Sequence, residues 1–180
     1  MKLMPKGQVP KYLAFTQHMG DVREQMDIPA GEIARSDGYF VLPEPAVLTA
    51  FQPHMHNRGR AQCMDAIFPN SVRADSARPG PMRSETLSCV SNYQFAWHIS
   101  YAYADDVAPL LPAGTIIHVT GWHDNTAANK FNPNPNTWVG YGQRTIDDMT
   151  FAWVSLVYLD QEEFARRVEA RRRAGATDQQ

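Results

Sequence analysis

Long apolar runs are missing from this chain of 180 residues, and with them any stretch able to span a membrane as a helix. The start, Met1-Lys2-Leu3-Met4-Pro5, lacks the apolar core of a secretory signal. As written, the chain is expected to stay in the cytoplasm, or equally to be the trimmed second half of a longer exported protein. An excess of one charge is missing too. Seventeen basic residues against 19 acidic ones leave a net charge of −2, which offers no footprint for a nucleic acid or an acidic membrane surface. Cysteine is scarce: Cys63 and Cys89 are too few for a structural zinc site of their own. They lie on two runs able to pair as a long hairpin. There they form either a cross-strand disulfide, in an oxidising compartment, or two small buried hydrophobes.

What the sequence has is short alternating runs punctuated by turn residues. Residues 1–31 are expected to be an irregular segment, broken by Pro5, Gly7, Pro10, Pro29 and Gly31, with a short strand over Tyr12 to Phe15. Strands are expected over Asp37 to Leu42, Val47 to Gln52, Ala61 to Phe68, Glu85 to Ser91, Thr115 to Trp122 and Met149 to Leu159. The cleanest period runs from Tyr93 to Tyr103, where six apolar residues, mostly aromatic, alternate with small or polar ones. It predicts a half-buried strand with His98 on the face opposite the aromatics, hence without a role. The polar connection at 73–81 reads as a mobile surface loop. The Asn-, Pro- and Gly-rich stretch 124–145 is long enough to demand a function or a packed conformation. A charged helix from about Gln161 to Arg173 closes the pattern. These elements predict an all-β fold, an antiparallel β-sandwich of jelly-roll style spanning 32–160, followed by a short charged helix and tail over 161–180.

The chemistry centres on Phe51-Gln52-Pro53-His54-Met55-His56. On a strand, residues i and i+2 share a face, so His54 and His56 can offer both imidazoles to one ion. The bland alternative is two surface histidines at a strand end. Two imidazoles hold a metal weakly, so a third ligand decides its identity. His118, His123 and Met149 are the candidates, and sequence spacing does not choose among them. A third His suits zinc, iron or manganese, whereas a thioether selects copper, above all Cu(I).

Two resemblances follow. Pro112-X-Gly114-X-X-X-His118 with an upstream His-X-His is similar to the cupins, and would use His54, His56 and His118. The cupin pattern wants a Glu soon after the second His, yet here the first carboxylate is Asp65. A closer resemblance rests on an ordered set: His54-Met55-His56 with Gly59, Tyr93 to Tyr103, Leu111-Pro112-Ala113-Gly114-Thr115, Asp124-Asn125-Thr126, Asn132-Pro133-Asn134-Pro135 and Asp147-Asp148-Met149. Together these resemble the C-terminal domain of the copper type II, ascorbate-dependent monooxygenases in their bacterial branch. Animal members include the peptidylglycine and dopamine monooxygenases.

That resemblance implies a β-sandwich with one oxygen-binding copper ion held by His54, His56 and Met149. It implies an extracytoplasmic, periplasmic setting, dioxygen and an ascorbate-like reductant, and an upstream domain whose second copper supplies an electron. His18, His98, His118 and His123 are too scattered along the chain to replace that domain's histidines. Asp124 or Asp148 could orient an imidazole, although Asp124 serves an Asx-turn equally well. Peptidylglycine enzymes hold their peptide with an Arg, an Asn and a Tyr at positions that are Gln52, Phe151 and Trp153 here. A glycine-extended peptide is therefore not expected, and an apolar molecule suits Phe151 and Trp153 better. The rival expectation is a non-catalytic copper-binding or structural subunit of a larger complex.

Overall fold

The computed structural model describes residues 5–69 and 83–177, so the connection at 73–81 lies outside the described residues. Among the described residues, nine strands form two antiparallel sheets: β1 (Ala14–Met19), β2 (Ile33–Val41), β3 (Ala46–His54), β4 (Gly59–Ile67), β5 (Ser84–Val90), β6 (Tyr101–Ala102), β7 (Leu110–Leu111), β8 (Ile116–Asp124) and β9 (Phe151–Tyr158). One sheet runs β1-β9-β3-β6, with β7 also paired to β3, and the other runs β2-β8-β4-β5. Helix α1 (Gln161–Thr177) follows, one turn longer than the charge pattern suggested. Among the described residues no helix is long and apolar enough to cross a membrane.

The period-two pattern explains how the layers meet. Leu48 and Phe51 of β3, Met64 and Ala66 of β4, Ile117 and Val119 of β8, and Ala152, Val154 and Leu156 of β9 pack as one core between the sheets. A register shift between Leu48 and Ala50 keeps both Leu48 and Phe51 inward. Beyond that bulge, Gln52 and His54 of β3 point outward, as do Phe151 and Trp153 of β9. The outer face of the first sheet is thereby defined.

Two expectations need correcting. The N-terminal segment is not wholly irregular, because residues 14–19 pair along their length with β9, from Ala14↔Val157 to Met19↔Ala152. The strand starts at Ala14 rather than Tyr12. The second correction is larger. Tyr93 to Tyr103 is no continuous strand; only Tyr101 and Ala102 pair with β3. Trp97 N bonds to Gln94 O at 2.9 Å in a turn, and the aromatics disperse. Tyr93 is 6% exposed and Trp97 71%. Separate partners for each ring outweigh the period.

Cys63 and Cys89 are directly opposed on β4 and β5 and form a disulfide, with Cα atoms 4.1 Å apart. The long stretch 124–145 is packed down, as its length required. Asp124, Asn129, Asn132 and Asn134 each accept the backbone N–H two residues ahead, a series of Asx-turns. Fully buried Asn125 ties the stretch to the body by donating to Pro29 O and Thr137 O.

Candidate metal centre

His54 ends β3 opposite Phe151 of β9. In an antiparallel pair, opposed residues share a face. The Phe151 ring accordingly stacks on the His54 ring, with centroids 4.4 Å apart. Beyond this last rung the two chains carry His56 and Met149 past the strand ends, within reach of one carboxylate. Asp148 fixes that approach: its Oδ1 accepts from His56 N and Met149 N, both at 2.9 Å, and its Oδ2 from Arg58 N at 3.3 Å. Met149 is 9% exposed and His56 5%. The His54 and His56 rings lie 5.5 Å apart, centroid to centroid. Gly59 lets the turn after His56 close, since a Cβ there would meet the Met55 Cβ at 2.6 Å and Tyr93 Cδ1 at 2.9 Å.

The nitrogens can be assigned from their partners. His56 Nδ1 lies 3.1 Å from the carbonyl oxygen of Asp147, which only accepts. That nitrogen is thus the donor, and Nε2 keeps its lone pair for a ligand. The backbone of His54 is clamped by Gln62, whose amide accepts from His54 N and donates to His54 O, both at 3.3 Å. Burial, then the nearby His56 and His98, lower the His54 imidazole to about 4. Neutral imidazoles with free lone pairs are what a metal needs.

His98 is the residue that sequence reasoning missed. Its ring sits 5.2 Å from His54 and 5.2 Å from Phe95, and Phe95 in turn sits 5.5 Å from His56. The Tyr93 hydroxyl donates to Met55 O, so His98 Nε2, 2.8 Å from the same hydroxyl, donates to Tyr93 and leaves Nδ1 as acceptor. Burial and then His56 lower its imidazole as well. Only the assumption of a strand placed His98 on a different face. The His-X-His was visible in sequence, but that His98 packs beside it was not.

The other candidates fall elsewhere. His118 lies on the outer face of the second sheet, where Nε2 contacts Asp37 Oδ1 at 2.7 Å and the ring stacks on Tyr39 at 4.6 Å. It does not join His54 and His56, so the cupin-like set is not assembled. His123 is fully buried. Its Nε2 contacts Thr150 Oγ1 at 2.7 Å and Ser36 Oγ at 3.2 Å, and its Nδ1 lies 3.3 Å from Asp148 Oδ1, out of line for a hydrogen bond. It steadies the Asp148 carboxylate instead of facing the site. Burial pushes that carboxyl up, but His123 and the two backbone donors outweigh it and hold Asp148 below its ordinary value. Asp124 makes the Asx-turn, accepting from Thr126 N at 3.0 Å. Gln52 donates to His98 O at 3.2 Å, and Trp153 stays 36% exposed beside Phe151 and His18.

Among the described residues, no three His, Cys, Asp or Glu side chains are arranged to hold a metal ion. A site on His54 and His56 therefore depends on the thioether of Met149. Neither the protein-family profiles nor the curated proteins compared with this chain give a match.

Proposed function

We propose that this domain holds one copper ion on His54, His56 and Met149 and serves a copper-dependent monooxygenation of a C–H bond. The observation that carries the reading is the Nδ1–H of His56 donating to the Asp147 carbonyl, on the same short stretch that presents Met149. It fixes the ring and turns Nε2 outward from that bond, and the Met149 thioether joining the His54 and His56 nitrogens would make a donor set suited to Cu(I). Copper so bound would supply dioxygen activation. The chain's own residues do the rest: Asp148 holds the two ligand-bearing segments together, Gln62 fixes His54, and Phe151 and Trp153 offer an apolar surface to a substrate. On this reading electrons would arrive from an upstream copper domain or a larger complex, with an ascorbate-like reductant. The Cys63–Cys89 disulfide fits an oxidising, extracytoplasmic compartment.

A second reading, a non-catalytic copper-binding or structural accessory subunit, is favoured by Phe151, whose ring covers one face of His54. Dioxygen uptake with copper and ascorbate separates the two.

The metal set itself is tested by Met149→Ile. The volume is nearly kept, so stability should change by less than about 1.5 kcal/mol. Competition titrations should find Cu(I) affinity strongly reduced and Cu(II) affinity reduced less. Equal affinities for both proteins in both redox states would make Met149 core filler and end the proposal.

A further inference from the structure

The Asn- and Pro-rich stretch does more than reach the metal-binding end. Together with the turn at 23–26 it encloses a cleft of about 940 Å³. Trp138, Tyr141, Met26 and Ile146 give it apolar walls. At its floor lies Arg58, only 1% exposed. The guanidinium donates to Asn125 Oδ1 at 2.8 Å, Ile146 O at 2.8 Å and Asn134 O at 3.4 Å. Ile146 and Asn134 line the cleft as well, so the cationic head sits at it. All three acceptors are neutral, and among the described residues no carboxylate forms an ion pair with this side chain.

The remaining charges of the cleft are accounted for. Arg23 is paired with Asp21 at 2.7 Å and Arg144 with Asp147 at 2.7 Å, while Glu24 stays on the exposed rim. Arg58 is therefore a buried cation with no carboxylate paired directly to its guanidinium, although Asp148 and Asp147 stand near enough for their charges to act on it. Those charges offset part of the cost of burying it, and an anion in direct contact with the guanidinium would offset more. Each terminal nitrogen carries two N–H groups and spends one on a carbonyl, which leaves two donors for a carboxylate.

The walls are set in advance. Trp138 Nε1 donates to Asp27. Gly140 leaves room for the indole, because a Cβ there would lie 2.6 Å from Trp138 Cη2. We propose that this cleft binds a small aromatic carboxylate, its head on Arg58 and its ring against Trp138 and Tyr141. The proposal stands without the copper reading, since no residue of His54, His56 or Met149 lines the cleft.

The test is calorimetric titration of the metal-free full chain with benzoate, phenylacetate and cinnamate, each beside its neutral primary amide. At least one acid should bind about tenfold or more tighter than its amide, the difference expected of a charge-assisted pair with arginine. Gly140→Ala and Trp138→Ala should weaken that acid by about fivefold or more through lost ring contact, with circular dichroism unchanged. Arg58→Met should abolish the preference for acid over amide. Arg58 also ties down three loop positions, so that variant could fail to fold, but the acid–amide comparison on the natural chain does not need it. If no acid binds more tightly than its amide, or the Trp138 and Gly140 variants bind the acid as the natural chain does, the proposal is overturned.

Discussion

Acidification should weaken the metal-free protein well before its carboxylates protonate, and His54 should be the main cause. Its imidazole is lowered to about 4 by burial and by His56 and His98, against about 6.5 in an unfolded chain. The folded state thus binds fewer protons than the unfolded state between those values, so stability falls as pH falls through that window. Above about 6.5 the penalty vanishes; below about 4 it is complete. The shift converts to at most about 3 kcal/mol, and partial solvent access reduces it to roughly 1–2 kcal/mol. His98 shifts in the same direction and adds to the slope. Asp148 and Asp37 are held below their ordinary values, so their contributions are lost only under more acid conditions. Urea unfolding at pH 7 and pH 5 measures the loss. Proton resonances of the imidazole, followed against pH, assign it. His54→Gln should flatten the slope, and the double variant with His98→Gln should flatten it further. A His54 that titrates near 6.5, with equal stability at both pH values, would refute the packing described around it.

Three other outcomes follow from named contacts. The Cys63–Cys89 disulfide spans 26 residues, so replacing both with Ser should cost about 3.5 kcal/mol by loop-closure entropy, read from denaturant midpoints. Asp148→Ala strips the acceptor from His56 N, Arg58 N and Met149 N. It should cost about 3 kcal/mol or more and, on the proposed copper site, weaken copper affinity even where the protein stays folded, as chelator competition would report. Gly121→Ala puts a Cβ 2.8 Å from Thr150 Cγ2 and 3.1 Å from Ser36 Oγ. It should lower stability by about 1–3 kcal/mol through overpacking, visible in thermal melts.

Much of the sandwich was legible because the paired strands obey the period of two: β3, β4, β5, β8 and β9 fall within a few residues of their expected bounds. Cys63 and Cys89 gave the register of one hairpin correctly. The stretch from Tyr93 to Tyr103 was misread because alternation is compatible with a strand but does not require one. Tyr93 turns inward to the Met55 backbone, Phe95 lies against two histidines and Trp97 faces solvent. A sequence pattern carries no record of such unshared destinations. The same error hid His98. Asp148 was named as able to orient an imidazole, but its grip on the backbone N–H groups of His56 and Arg58, like the role of Arg58, was hidden for another reason: these partners lie about 90 positions away in the chain or are backbone atoms without a residue signature.

The pairing of β3 with β9 runs from Ala46↔Tyr158 to His54↔Phe151 and stops there. His56 and Met149 continue beyond its last rung, held by one carboxylate instead of further backbone rungs. Strand ends open more readily than strand centres. Hydrogen exchange at the amides of His56 and Met149 should therefore be faster than at Phe51 or Val154, and the two should exchange together, since Asp148 serves both. A bound ion that clamps the two side chains would close this end like a clasp, slowing both amides while leaving the middle of the sheet unchanged. Exchange kinetics at two backbone positions would thus report loading without any spectroscopic signal from the metal.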